Sequence, residues 1–387
     1  MTIELTNELA SFSYIQLSTY IVIASMVLIL FTSLKPSTHN DVFPIVVTNE
    51  LKGLGILTVV FAHFAFMKIS GTWEFLFPLS TIAGVGVDLF LFMSGFGLTV
   101  GMLKRPMKIL DFYKKRVIKI FIPFWIALVL LFVADAIFMD KYYSFSYIVK
   151  SLFGFFPTAD GFADVNSPFW YITWMIMFYL LFPILFFKNR VWLSAILIAV
   201  IATLIGTFNI FDLASNWLHR LHTLAFSLGI LGAWILYSKD GVDNKFVTYV
   251  KNFRDNSKDF KYIIIFLMFV IIFYFAQRQV GDFWPRLQSL SIPNFYIEQM
   301  ASIVIMLAFI VIFVLKKVES KFLALYGSFS YEVYLIHWPL MAKYDIFFVY
   351  LPTWAAVLVW LVVFILVSML LQRVTNFAGT YIDKFVK

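Results

Sequence analysis

Long apolar segments separated by short polar stretches run through almost the whole chain. A membrane-spanning helix needs about 20 mostly apolar residues. Eleven segments approach this requirement, and we predict helices near residues 14–34, 53–69, 78–101, 118–139, 168–187, 191–209, 218–237, 261–276, 298–315, 323–342 and 350–371. The shorter run at 147–156 predicts a re-entrant or interfacial piece. The pattern therefore predicts an all-α, polytopic transmembrane helix bundle.

Composition supports this prediction. Of the 387 residues, 62% are hydrophobic and only 13% are charged, whereas a soluble domain carries about a quarter charged residues. The 47 Phe, 19 Tyr and 11 Trp residues suit interfacial belts and packed helices. With no cysteine, the chain can form neither a disulfide nor a catalytic thiolate.

The basic residues indicate orientation. The densest cluster lies at residues 104–119, and we assign it to the cytoplasm. Alternation of the predicted helices then puts 23 of the 30 Lys and Arg residues on the cytoplasmic side. We therefore expect a multi-pass plasma-membrane protein with its N-terminus outside and its C-terminus inside. The net charge of +8 then reflects topology, so we expect the lipid bilayer and not nucleic acid as a partner.

The stretch from Lys52 to His63 carries the first candidate chemistry. On a helix, these residues lie roughly 16 Å apart along the axis, so Lys52 reaches a membrane surface and His63 lies in the interior. An intramembrane histidine is costly and marks a candidate functional site, and an imidazole suits a general base. The structural alternatives are a snorkelling lysine and a hydrogen-bonded core histidine.

Two further groups stand out on the following helices. Asp88 is a carboxylate inside the bilayer, which needs a partner; it either orients His63 or holds a nearby cation. Arg116 and Lys119 share one helix face at the predicted cytoplasmic surface, where paired cations suit a phosphate-bearing ligand. The alternative is a simple topology signal. No metal-ligand spacing is evident among the five dispersed histidines.

Five sequence motifs resemble those of acyltransferase family 3, the integral-membrane O-acyltransferases of bacterial surface sugars. They are a basic residue separated from a histidine by ten intervening residues, GVDLF followed by SGF, a pair of basic residues, a Trp segment ending in FYLLFP, and SYxxYLIHxPL. In chain order they correspond to Lys52 and His63, 86–90 and 94–96, Arg116 and Lys119, 169–183, and 330–340.

The resemblance implies transfer of an acyl group, most simply acetyl, from acyl-CoA to a hydroxyl of a surface or lipid-linked carbohydrate. It implies that Lys52, Arg116 and Lys119 bind acyl-CoA. His63 and Asp88 would then be catalytic. His337, Trp170 and Glu332 are the candidate contacts with the acceptor. The alternatives are a hydrogen-bonded packing histidine, a tryptophan of the interfacial belt and a glutamate paired with a cation.

The resemblance also implies a domain organisation. The acyltransferase domain would span 50–372, preceded by an additional helix and connector at 1–49 and followed by a cytoplasmic tail at 373–387. Met175 stands where many relatives carry a glutamate, which puts the acceptor in doubt. Acceptor identity, acyl chain length and a homo-oligomeric state stay open.

Intramembrane ionisable groups also mark transport pathways. The alternative function is a proton-coupled secondary transporter or exporter of a sugar or small acid, with His63, Asp88 and His337 as a proton relay. The sequence shows no internal repeat of the kind common in transporters and no Walker-type phosphate loop.

Overall fold

The protein is built almost entirely from helices. The computed structural model describes residues 2–37, 39, 41–67, 75–80, 82–237, 245–280 and 294–386. In chain order, the helices are α1 (Thr2–Thr32), α2 (Ile45–Phe66), α3 (Phe77–Ser80), α4 (Ala83–Lys104), α5 (Ile109–Arg116), α6 (Ile122–Phe138), α7 (Phe145–Leu152), α8 (Trp170–Leu185), α9 (Val191–Phe208), α10 (Asn216–Arg220), α11 (Ala225–Tyr237), α12 (Lys245–Asn256), α13 (Lys258–Val280), α14 (Asn294–Leu315), α15 (Lys321–Ser328), α16 (Ser330–Trp338), α17 (Phe347–Tyr350) and α18 (Thr353–Val386). Shorter elements are π turns at Val117–Phe121 and Pro339–Lys343, a 3₁₀ turn at Ser167–Phe169, and strands β1 (Leu34–Pro36) and β2 (Val318–Ser320).

Ten stretches within the described ranges are long and apolar enough to cross a membrane, which confirms the predicted polytopic helix bundle. They are Tyr14–Thr32, Ile45–Phe66, Ala83–Lys104, Ile109–Phe138, Ser167–Leu185, Val191–Phe208, Asn216–Tyr237, Asp259–Ala276, Phe295–Leu315 and Thr353–Gly379. Apolar side chains remain exposed on these helices, among them Leu28, Leu130 and Leu366, and they suit contact with lipid. In lipid the polar groups of the backbone must be satisfied by hydrogen bonds inside each helix.

The helices predicted at 323–342 and 53–69 differ from the structure. The segment predicted at 323–342 is helical, but it is divided into α15, α16 and the π turn at Pro339–Lys343, so no single piece has spanning length. The helix predicted at 53–69 begins at Ile45, and its last two predicted residues lie outside the described ranges. The added turns at its start include Glu50, whose buried carboxylate accepts hydrogen bonds from Lys316 Nζ at 2.6 Å and Ser320 N at 2.5 Å. Glu50, which lies outside the helix predicted at 53–69, is therefore a charged residue paired inside the bundle.

The charged segment that joins the helices predicted at 218–237 and 261–276 is itself partly helical. Its first seven residues lie outside the described ranges, but residues 245–256 form α12. Arg254 on this helix is buried, and its Nη1 donates to the carbonyl oxygen of Asp41 at 2.9 Å. Nearby, β1 and β2 pair antiparallel with Lys35 opposite Glu319, and the two side chains form an ion pair at 3.0 Å.

Glycines allow two pairs of helices to approach closely. A Cβ on Gly53 of α2 would overlap the carbonyl oxygen of Leu323 on α15, and a Cβ on Gly327 of α15 would overlap that of Asn49. Gly95 of α4 and Gly229 of α11 meet in the same reciprocal way, each against a carbonyl of the other helix. Small residues at such crossings let backbones pack directly. These two crossings fix the rotation of the helices that carry the site described next.

The segment at 140–167 packs onto the end of α16. Asn166 Nδ2 donates to the carbonyl oxygen of Leu335 at 2.9 Å, and Trp338 Nε1 donates to that of Gly161 at 3.1 Å. Lys343 Nζ lies 3.0 Å from the buried carboxylate of Asp135, which also accepts a hydrogen bond from Tyr143. Burial and this carboxylate raise the pKa of Tyr143, so its hydroxyl stays protonated and donates.

Candidate active site

A cavity of about 480 Å³ opens among α2, α4, α8 and α16. Lys52, Arg116 and Lys119 all line it, although they come from two different helical segments. The sequence predicted these cations as a binding set, and the structure brings them into one cavity. Arg116 Nε is buried without a hydrogen-bond partner in the described part of the chain. A guanidinium in that state can still bind an anion through charge-assisted hydrogen bonds.

The rest of this larger cavity is a mixture of apolar and hydroxyl-bearing side chains. Tyr179 donates to Ser94 Oγ at 3.2 Å, and Tyr331 donates to the carbonyl oxygen of Ile120 at 2.9 Å. Met175 is buried and lines the cavity as well. The wall at this position is therefore apolar.

A second, smaller cavity of about 240 Å³ adjoins the first. His63 lines it together with Trp170, Trp217 and His222. Three side chains line both cavities and form an aromatic partition between them, namely Phe90, Tyr171 and Tyr334. Tyr334 is held in this position by a hydrogen bond from its hydroxyl to the carbonyl oxygen of Pro168 at 2.6 Å.

His63 is oriented by His337. His63 Nδ1 lies 2.8 Å from His337 Nε2, and the two rings are nearly parallel at 15°. His337 Nδ1 lies 3.0 Å from the carbonyl oxygens of Val333 and Tyr334. A carbonyl oxygen can only accept, so Nδ1 of His337 carries the proton and its Nε2 accepts. His63 Nδ1 must then donate, which leaves the lone pair on His63 Nε2.

This tautomer is the one that a general base requires. His63 is half-buried and faces the smaller cavity, and Trp338 packs edge-on against its ring at 5.1 Å. Its Nδ1 is fixed by His337, so Nε2 is the nitrogen left to accept a proton from a ligand. The predicted base therefore has a suitable orientation, although its catalytic role stays a prediction.

Asp88 does not orient His63, so this part of the sequence-based prediction is wrong. Its Oδ1 lies 2.7 Å from His222 Nδ1, and its Oδ2 accepts from Ser302 Oγ at 2.5 Å. Asp88 is fully buried, and both oxygens are occupied by partners on other elements. The position beside His63 belongs to His337.

The three residues predicted to contact an acceptor have different environments. Trp170 lines the smaller cavity, where its ring stacks on that of His222 at 5.9 Å. His337 is completely buried, and both of its ring nitrogens are occupied, so it supports His63 and is not available to an acceptor. Glu332 is buried with Gln372 at 3.5 Å, and it lines neither of these cavities. The predicted acceptor contacts of His337 and Glu332 are thus corrected.

The link between Asp88, His222 and Ser302 was not predicted from the sequence. His222 is one of several polar residues near the start of the helix predicted at 218–237, and none of the five motifs includes Ser302. Asp88 lies on α4, His222 lies between α10 and α11, and Ser302 lies on α14. Their pairing depends on how these separate elements pack, which a single sequence does not specify.

The chain belongs to acyltransferase family 3. The family model, described as an acyltransferase domain, matches residues 49–373, which confirms the resemblance found in the motifs. Searches of the curated proteins and of the solved structures found no significant match. Together with the ten candidate spans, the family defines the protein as a multi-pass membrane acyltransferase.

Proposed function

We propose that the protein transfers an acyl group, most simply acetyl, from acyl-CoA to a hydroxyl of a surface or lipid-linked carbohydrate. The observation that carries this proposal is the arrangement of the two adjoining cavities. One is lined by three cations and the other by an oriented histidine. Family membership favours group transfer over the alternative of transport.

The larger cavity is the proposed donor site. The phosphates of CoA would interact with Lys52, Arg116 and Lys119, since arginine binds phosphate in a bidentate manner and lysine binds it as a point charge. The thioester would then extend toward the aromatic partition of Phe90, Tyr171 and Tyr334. In the proposed orientation the cations face the cytoplasm, which supplies acyl-CoA, and the excess of Lys and Arg on that side supports this choice.

The smaller cavity is the proposed acceptor site. Trp170 and Trp217 offer aromatic faces that suit the apolar face of a sugar ring. His63 Nε2 takes the proton of the acceptor hydroxyl while the hydroxyl oxygen bonds to the thioester carbonyl carbon. The carbon–sulfur bond then breaks, its electron pair moves to sulfur, and His63 returns the proton to give free CoA. The products are an ester and a thiol, so atoms and protons balance.

The test uses the purified full-length protein in lipid nanodiscs with acetyl-CoA labelled in the acetyl group. Carbohydrate extracts of the cell envelope serve as acceptors, and release of CoA thiol is measured beside mass spectrometry of the carbohydrate. We expect label in an alkali-labile ester and a loss of about 10²–10⁴-fold in His63→Gln. His39→Gln is the matched control. His39 lies beside the paired strands β1 and β2, near Glu319, and lines neither of the two cavities.

An unchanged rate in His63→Gln would remove the mechanism. Proton-driven uptake of a sugar into liposomes without CoA consumption would support the transport alternative and contradict the proposal.

A further inference from the structure

A second histidine faces the smaller cavity and is held as firmly as His63. His222 is buried, and its Nδ1 lies 2.7 Å from Asp88 Oδ1. Ser302 occupies the other carboxylate oxygen of Asp88, and Trp170 stacks on the imidazole ring. Gly84 lines the same cavity, and even a Cβ at that position would lie 3.4 Å from His222 Cε1. The missing side chain at residue 84 therefore leaves space beside the Cε1 edge of the ring.

The carboxylate of Asp88 bears on which nitrogens of His222 carry a proton. Asp88 is fully buried within a membrane-spanning helix, where an uncompensated charge is costly. Within the described part of the chain, Asp88 hydrogen-bonds to His222 and Ser302, and of these two His222 is the one that can supply a positive charge. The pair is neutral when the Asp88 carboxylate faces a His222 imidazolium. In that form Nδ1 donates to Asp88 and Nε2 carries the second hydrogen.

We propose that His222 Nε2–H donates a hydrogen bond to the carbonyl oxygen of the thioester and stabilises the negative charge that develops on it. This inference rests on the proposed acyl transfer and adds a second catalytic residue to it. His63 removes the hydroxyl proton and returns it to sulfur, while His222 keeps its proton throughout. Preorganised donors of this kind are a large source of rate enhancement in acyl transfer.

Asp88 then acquires a defined function as a positioning residue. It does not touch the reacting atoms, but it fixes the His222 ring and supplies the charge that keeps hydrogen on Nε2. Ser302 fixes Asp88 in turn. The two histidines divide the chemistry, because the His337 pairing leaves a lone pair on His63 whereas the Asp88 pairing leaves a donor on His222.

The first measurement needs no acyl transfer. Protein labelled with ¹⁵N in histidine is studied by NMR in nanodiscs, and the His222 signals are assigned by their loss in His222→Gln. We expect Nε2 of His222 to be protonated at neutral pH. An unprotonated Nε2 overturns the inference, and this result is independent of whether the proposed function is correct.

The second measurement compares kcat and KM for His222→Leu and His222→Gln with the wild type and His39→Gln. Loss of one such donor costs about 10²–10³-fold in kcat, and we expect this for leucine and a smaller loss for glutamine, whose amide can donate. The KM for acyl-CoA should change by less than about threefold, because Lys52, Arg116 and Lys119 are unchanged in these variants. A kcat within about threefold of the wild type for His222→Leu, or a loss confined to the acceptor KM, overturns the inference.

Discussion

Replacement of His337 by methionine tests the orientation of the proposed base. His337 is the acceptor for His63 Nδ1–H at 2.8 Å, and it lies outside the lining of both cavities. Methionine fills the buried space with a thioether, which is a weak acceptor. The substitution therefore changes the hydrogen bonding of His63 without removing a contact to either substrate.

The magnitude follows from the charge that His63 acquires. When Nε2 takes the hydroxyl proton, the ring becomes an imidazolium whose Nδ1–H donates to His337. Hydrogen bonds to charged groups contribute about 1.5–3 kcal/mol. At about 1.4 kcal/mol for each factor of ten in rate, their loss corresponds to a decrease of about 10- to 150-fold in kcat. A shift of the His63 proton to Nε2 would add to this loss.

The assay is steady-state release of CoA thiol with saturating acceptor. We expect a lower kcat for His337→Met and a KM for acyl-CoA close to that of the wild type. His337→Gln is the matched variant, because its carboxamide oxygen can accept from His63 and should restore part of the rate. The reasoning is refuted if His337→Met retains at least half of the wild-type kcat, or if methionine and glutamine give the same loss in a folded protein that binds CoA.

Three other substitutions test the donor cavity, the partition and the helix crossings. Arg116→Gln should raise the KM for acyl-CoA by about 10- to 150-fold because a charge-assisted contact is lost. Lys150→Gln, at an exposed position, should leave this KM unchanged. Equal effects of the two substitutions would contradict a phosphate site. Phe90→Ala should raise kcat/KM for butyryl-CoA relative to acetyl-CoA by about 10-fold or more, since each methylene accommodated contributes about 1–3 kcal/mol; an unchanged ratio would show that the partition does not limit acyl length. Gly229→Ala should lower the free energy of unfolding by about 1–3 kcal/mol through overpacking against the Phe92 carbonyl of α4, and so lower the Tm in detergent. In Gly101→Ala the added Cβ meets no atom within 4 Å, so the Tm should stay unchanged. Equal melting temperatures of the two variants would contradict the close crossing.

The sequence was sufficient for the helix bundle and for the cations of the larger cavity. Hydrophobic length predicts a spanning helix because the bilayer imposes that length. The spacing of Arg116 and Lys119 puts them on one helix face whatever the rest of the fold does. Local rules of this kind depend on residues near one another in the chain, and a single sequence contains them in full.

The hydrogen bonds of the site were less predictable. His63 and His337 are 274 residues apart, and Asp88 and His222 are 134 apart. Whether two such side chains meet depends on the rotation and depth of separate helices. The prediction of Asp88 as the partner of His63 failed for this reason, since both residues lie on neighbouring helices but face different third elements.

The opposite assignments of His63 and His222 follow from what lies behind each ring. Behind His63 is a neutral imidazole whose own proton is committed to backbone carbonyls, so the pair is uncharged with a free lone pair on His63. Behind His222 is a carboxylate, and an imidazolium with hydrogens on both ring nitrogens makes this pair uncharged. A low-polarity membrane interior penalises net charge in both cases. The same physical requirement therefore yields an acceptor from one histidine and a donor from the other, and acyl transfer to a hydroxyl needs one of each.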